Sequence, residues 1–142
     1  MITSSQLGDF LENCQIGTWV NLPDTQYSLP AEDWLSGSFA SGLGSLLGQL
    51  GFAWSAEKMD CDDFARFAAS YAALLHSKSG NKTGLAFGEF WYTRADGQGH
   101  AINVAVIRSG SGELALRFFE PQTQSIVELT KEEIATCEFC RI

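Results

Sequence analysis

Cys61 stands in the run Asp60-Cys61-Asp62-Asp63-Phe64, where a Gly- and Trp-containing stretch gives way to a strongly helical pattern. Asp60 is an N-cap type and Asp63 follows three residues on, the spacing of an acidic capping box. Cys61 would then be the first helical residue. Unpaired N–H groups and the positive end of the helix dipole favour a thiolate there. Downstream come Gly99-His100-Ala101-Ile102-Asn103 and Phe119-Glu120-Pro121-Gln122. A cysteine at a helix start, a histidine on a strand and a carboxylate on the next strand supply a nucleophile, a base and an orienting acid. The competing reading of Cys61 is a small buried core thiol.

Strand parity bears on the other two members. His100 shares a face with Ile102, Val104 and Val106, and Glu120 shares one with Leu114, Leu116 and Phe118. A carboxylate on an apolar face is costly unless paired. A turn near Ser109–Gly112 would bring positions near 100 and 120 side by side, which makes His100 the natural partner. Otherwise Glu120 is a strand-end charge turning to solvent before Pro121. Gln122 could orient His100 or line a substrate cleft. Asn103 lies on the opposite strand face, and His76 reads as a surface residue. The carboxylates around Cys61 work against a thiolate, because negative charge raises a thiol pKa. Helix N–H groups could neutralise them, or a calcium ion could sit on Glu57, Asp60, Asp62 and Asp63. The glycine and terminal glutamate of an EF-hand loop are absent.

The elements that must position these residues follow from periodicity. Thr3-Ser4-Ser5-Gln6 starts a helix carrying Leu7, Phe10 and Leu11. Residues 15–30 are irregular; their aromatics, Trp19 and Tyr27, are read as rim packing, with a cleft wall as the alternative. Pro30 opens a short helix through Leu35. Residues 36–51, rich in Gly and Ser, form a second short helix or a close-packed loop. Phe64, Phe67, Ala68, Tyr71, Leu74 and Leu75 mark a helix over 61–77. After Gly80 the period changes to two. Strands are predicted over 84–94, 100–108, 113–120 and 125–129, joined by Gly-, Ser- and Pro-rich turns. Thr130-Lys131-Glu132-Glu133 is a capping box, and the tail from Cys137 could add a last strand. The expected fold is one α+β domain over residues 1–142, with N-terminal helices packed on an antiparallel sheet of about four to five strands.

Composition narrows the partners. The 142 residues suit one domain, and 45% hydrophobic content is enough for a core. The net charge of −8, with nine scattered basic residues, disfavours nucleic acid and anionic membrane surfaces. No apolar run approaches the ~18 residues of a membrane span. Met1–Cys14 lacks the pattern of a signal peptide, so a cytoplasmic location without a disulfide framework is expected. Cys137 and Cys140 form the one C-x-x-C; no second pair completes a zinc site.

Together these motifs resemble the papain-like cysteine proteases, including transglutaminase-like folds. The nearer resemblance is to the C-terminal protease domain of the fairy-ring mushroom agglutinin and its small bacterial and phage relatives. It rests on Trp54 seven residues before Cys61, Asp60-Cys-Asp-Asp-Phe64, Gly99-His-Ala-Ile-Asn103, Phe119-Glu-Pro-Gln122 and the upstream Asp24–Pro30 segment, spanning about residues 20–130. The resemblance implies a papain-like fold, thiol-dependent cleavage of an amide bond in a peptide or protein substrate, and calcium activation. Cys61 would be the nucleophile, His100 the base and Glu120 the orienting acid. Ser55 occupies the position of papain's oxyanion-hole glutamine, so the Cys61 N–H needs an unidentified second donor, for which Trp54 and the more distant Gln49 are candidates. The agglutinin's separate sugar-binding domain has no counterpart here, so the resemblance implies no lectin activity. The alternatives are a catalytically silent papain-like peptide-binding module and transglutaminase-like acyl transfer to an amine.

Overall fold

The computed structural model describes residues 1–142. Helix α1 covers Ser4–Asn13 and starts at a Thr3–Gln6 capping box, in which the Gln6 N–H donates to Thr3 Oγ1 at 3.2 Å and the Thr3 N–H donates to Gln6 Oε1 at 2.9 Å. A second rod begins as α2 (Glu32–Trp34), passes through a π-helical turn at Leu35–Phe39 and continues as α3 (Ala40–Leu50). It stops at Gly51, whose φ of +67° is open to glycine without a Cβ penalty. Helix α4, Cys61–Lys78, buries Phe64, Ala65, Ala68 and Ala72. The small alanines let it lie close to the sheet. Helix α5 is a short turn at Lys131–Ala135.

A six-stranded sheet runs in the order β2-β9-β5-β6-β7-β8. Its members are Val20–Asn21, Phe139–Arg141, Phe87–Thr93, Gly99–Arg108, Leu114–Glu120 and Ser125–Val127. The β2–β9 pair is parallel and the other pairs are antiparallel. A smaller sheet joins β1 (Ile2–Thr3), β3 (Gln26–Ser28) and β4 (Gly84–Leu85). The central strand β6 divides the interior. Ile102, Val104 and Val106 pack with Phe90, Leu7 and Leu11 on the α1 side. Ala105 and Ile107 pack with Phe39, Leu43, Phe64 and Ala68 on the α3–α4 side.

The expectation of a papain-like α+β arrangement, with N-terminal helices on a single antiparallel sheet of four to five strands, is corrected. Two sheets, of three and six strands, organise the chain, and helices cover both faces of the larger one. The strands that change the architecture are two or three residues long. They carry almost no period-two signal, and they pair across great sequence distance, as Val20 does with Cys140.

Candidate functional site

The segment before α4 holds Asp60 at the N-cap. Its N–H donates to Asp63 Oδ2 at 3.4 Å, and its side chain accepts from the N3 backbone. Arg66 answers part of the acidic charge from within the helix, lying 3.2 Å from Asp62 and 3.5 Å from Asp63. Carboxylate oxygens of Asp60, Asp62 and Asp63 all lie within 4.8 Å of one another; Glu57 stands outside this group, on an exposed loop at φ +65°. A hydrogen bond shared with Asp62 holds the Asp60 carboxyl above its usual range, and Asp60 Oδ1 is buried without a partner.

The half-buried Cys61 thiol makes no hydrogen bond. His100 and Glu120 do meet: Nε2 donates to Glu120 Oε2 at 2.6 Å, and Glu120 Oε1 accepts from the Gln122 N–H at 3.1 Å. The printed register ends at Asn103–Phe119, so these two side chains meet diagonally beyond the ladder. Tyr92 stands edge-on to the imidazole at 5.9 Å. His100 thus projects from the α1 face of the sheet, whereas α4 packs on the other. Asn103 marks that second face. It is fully buried, and its Nδ2 donates to Ala65 O at 2.8 Å and to Gly88 O at 2.9 Å, tying α4 to β5. It is therefore no surface residue. Trp54 and Gln49 are both exposed, and Gln122 contributes its backbone rather than its amide to Glu120. His76 is also more engaged than a surface reading allows: Nε2 donates to Thr83 O at 3.1 Å and Nδ1 accepts from Asn81 at 3.2 Å.

A separate concavity lies elsewhere. A groove of about 630 Å³ runs between α1 and the segment leading into β2. Leu11, Ile16, Val20 and Leu22 supply apolar walls, and Asp9, Glu12, Thr18 and Asn21 supply polar groups. Trp19 also lines it and is 91% exposed, against the expectation of rim packing. Tyr27 does pack: its hydroxyl accepts from the Asp24 N–H at 2.9 Å and donates to Ile142 O at 3.2 Å. The signal for Trp19 lies in its neighbours. Thr18 and Val20 share one parity, so an inward Val20 turns Trp19 outward. A volume in the range of about 300–1,000 Å³, with apolar walls and a few polar groups, is typical of small-ligand sites.

Among solved structures the whole chain finds its counterpart. Its fold is similar to one half of a lectin chain. PSL1a in complex with E64 matches at 25% identity and a TM-score of 0.77, covering 99% of this chain and 50% of that one. The Polyporus squamosus lectin bound to the human-type influenza-binding epitope Neu5Aca2-6Galb1-4GlcNAc matches at 23% identity and 0.77, covering 99% and 49%. The chain spans about half the length of the structures it matches. No family model matches the sequence. No curated protein matches it either.

These findings correct the expectation of a papain-like protease. The structures of like fold are of a lectin, one of them holding a sialylated glycan. The thiol-dependent hydrolase, its peptide or protein substrate, the silent peptide-binding module and acyl transfer to an amine are set aside with it. Cys61 is not hydrogen-bonded to the His100–Glu120 pair. No helix is long and apolar enough to cross a membrane.

Proposed function

We propose that this chain binds carbohydrate, and that the groove between α1 and β2 is the site. The observation that carries the reading is Trp19, a large aromatic surface left 91% exposed beside that groove. A pyranose ring presents one face of C–H groups and a rim of hydroxyls. The indole offers the apolar platform such a face requires, and leaving it bare in water is unfavourable for the free protein. Asp9, Glu12 and Asn21 offer acceptors for hydroxyl donors, and Thr18 offers a hydroxyl that both donates and accepts. The likeness to a lectin that binds a glycan supports the reading. Glycan-array binding of the whole chain tests it. Binding that survives Trp19→Ala unchanged would place the sugar elsewhere, and no binding to any glycan would remove the function.

A second contact region is favoured by the complex of PSL1a with E64; E64 carries an epoxide, a group that a thiolate opens. We infer that Cys61 is the position at which this chain would accept such a molecule, with His100, Glu120, Gln122, Trp54 and Gln49 as the candidate contacts to be tested beside it. This reading asks only for addition to a thiol: Sγ attacks an epoxide carbon, the C–O bond opens, and the oxygen takes up a proton. Intact-mass measurement after incubation with E64 tests it. A single adduct lost in Cys61→Ala supports the assignment, and an adduct retained in that variant refutes it. For the acidic cluster we propose calcium as the occupant, because Asp60, Asp62 and Asp63 present hard oxygen ligands together. A rise in melting temperature with millimolar calcium, absent in Asp62→Asn, supports it; no shift counts against it.

A further inference from the structure

The groove's charge restricts what it can hold. Two carboxylates, Asp9 and Glu12, stand on one exposed edge of α1 and line it. No lysine, arginine or histidine is among the lining residues. The nearest cation by strand register is Arg141, opposite Asn21 across the β2–β9 pair, and it does not line the groove. Neither Asp9 nor Glu12 is in an ion pair or makes a side-chain hydrogen bond, so their acceptor capacity faces the groove and solvent. Ionised carboxylates only accept hydrogen bonds. They suit vicinal hydroxyls or an ammonium group and oppose a ligand carboxylate.

We propose that the groove selects neutral or amino sugars and rejects sialylated ones. The inference rests on the carbohydrate reading above, and it departs from the glycan seen on the Polyporus squamosus lectin. Discrimination comes from repulsion: a sialic acid carboxylate would be brought beside Asp9 and Glu12 with no cation to receive it. Trp19 and the apolar walls are indifferent to that charge, so they supply affinity for both sugar types and selectivity for neither. Screening by salt should narrow the difference, because both carboxylates are exposed.

The test is titration calorimetry of the whole chain with lactose and with its α2-6-sialylated form, at low and at high salt. The wild type is expected to bind lactose at least about tenfold more tightly than the sialylated sugar at low salt. The double variant Asp9→Asn, Glu12→Gln keeps the acceptor oxygens and removes the charges. It should close most of that gap, with an unchanged far-UV circular dichroism spectrum reporting an intact fold; a gap that persists in the folded variant would overturn the charge selection. Equal binding of the two sugars by the wild type, both lost in Trp19→Ala, would leave the carbohydrate site standing and overturn the charge selection. Absence of binding by either sugar, in the wild type and the double variant alike, would overturn the carbohydrate reading and this inference with it.

Discussion

Asn103→Ala is the perturbation whose cost the structure defines most closely. The side chain has no exposed surface, and its Nδ2 holds Ala65 O at 2.8 Å and Gly88 O at 2.9 Å. Each lost hydrogen bond is worth about 1 kcal/mol net, and a buried carbonyl deprived of its donor costs more, so the two together cost about 2–3 kcal/mol. Truncation to Ala leaves a small void, adding about 1 kcal/mol. One offset exists: Asn103 Oδ1 is itself buried without a partner, and removing it returns about 1 kcal/mol. The net loss is about 2–3 kcal/mol. For a chain of this length that is a fall in melting temperature of roughly 6–12 °C. Asn103→Asp is expected to be worse, because an acceptor-only carboxylate would face two carbonyl oxygens. Urea unfolding followed by far-UV circular dichroism measures both variants. A loss below about 0.5 kcal/mol in Asn103→Ala would refute the claim that this amide clamps α4 to the sheet.

Glu32 sits 2.6 Å from Arg117, whose hydrogen bond holds its carboxyl below the usual range. Because its folded pKa is depressed, the stabilisation is present above the ordinary carboxylate pKa and lost as pH falls through the folded value. Glu32 is 45% exposed, so Glu32→Gln should cost only about 0.5 kcal/mol at pH 7 and nothing at pH 2, measured by paired urea curves. Thiol titration with a chromogenic disulfide should find Cys61 and the slower Cys14 in the native protein, because burial pushes the Cys14 thiol up. Cys137 and Cys140, 3% and 2% exposed, should react only on unfolding; four native thiols would contradict their burial. A Cβ on Gly17 would lie 1.9 Å from Ala135 O. Gly17→Ala should therefore push the groove-forming segment off α5, cost about 2 kcal/mol or more and weaken sugar binding together with stability.

Long periodic segments were legible in the sequence. The helix over 61–77 is observed at Cys61–Lys78, and its Asp60–Asp63 capping box forms. The strands near 100–108 and 113–120 appear at Gly99–Arg108 and Leu114–Glu120. These elements carry their own signal, with apolar residues every third or fourth position in one and every second in the others. The register was nearly legible as well: Asn103 opposite Phe119 brings His100 within reach of Glu120. What failed was the architecture built by short strands. Val20–Asn21 has two residues and pairs with Cys140–Arg141 at the far end of the chain, a closure no local pattern announces. The Gly/Ser-rich stretch from Ser36 also hid its state, because glycine weakens a helix while Leu43 and Leu47 hold this one by burial.

The candidate site was legible only in part. Three short motifs in a familiar order supplied a triad, and two of its members do meet. Motif order says nothing about which sheet face each side chain leaves; by parity His100 follows Ile102, Val104 and Val106, which pack toward α1. Trp19, read as rim packing with a cleft wall as the alternative, stands exposed beside the groove. Its neighbours Leu22 and Val20 are the residues that turn inward to the core containing Leu7 and Leu11.

The central claim is that a sugar sits on Trp19 in the groove between α1 and β2. A two-dimensional amide NMR titration with lactose addresses it most directly, since the indole N–H of each tryptophan gives its own signal. The account predicts saturable shifts of the Trp19 indole and of backbone amides lining the groove, among them Gly8, Asp9, Glu12, Thr18 and Asn21. Saturable shifts confined to residues outside that groove, or none at all, would contradict it.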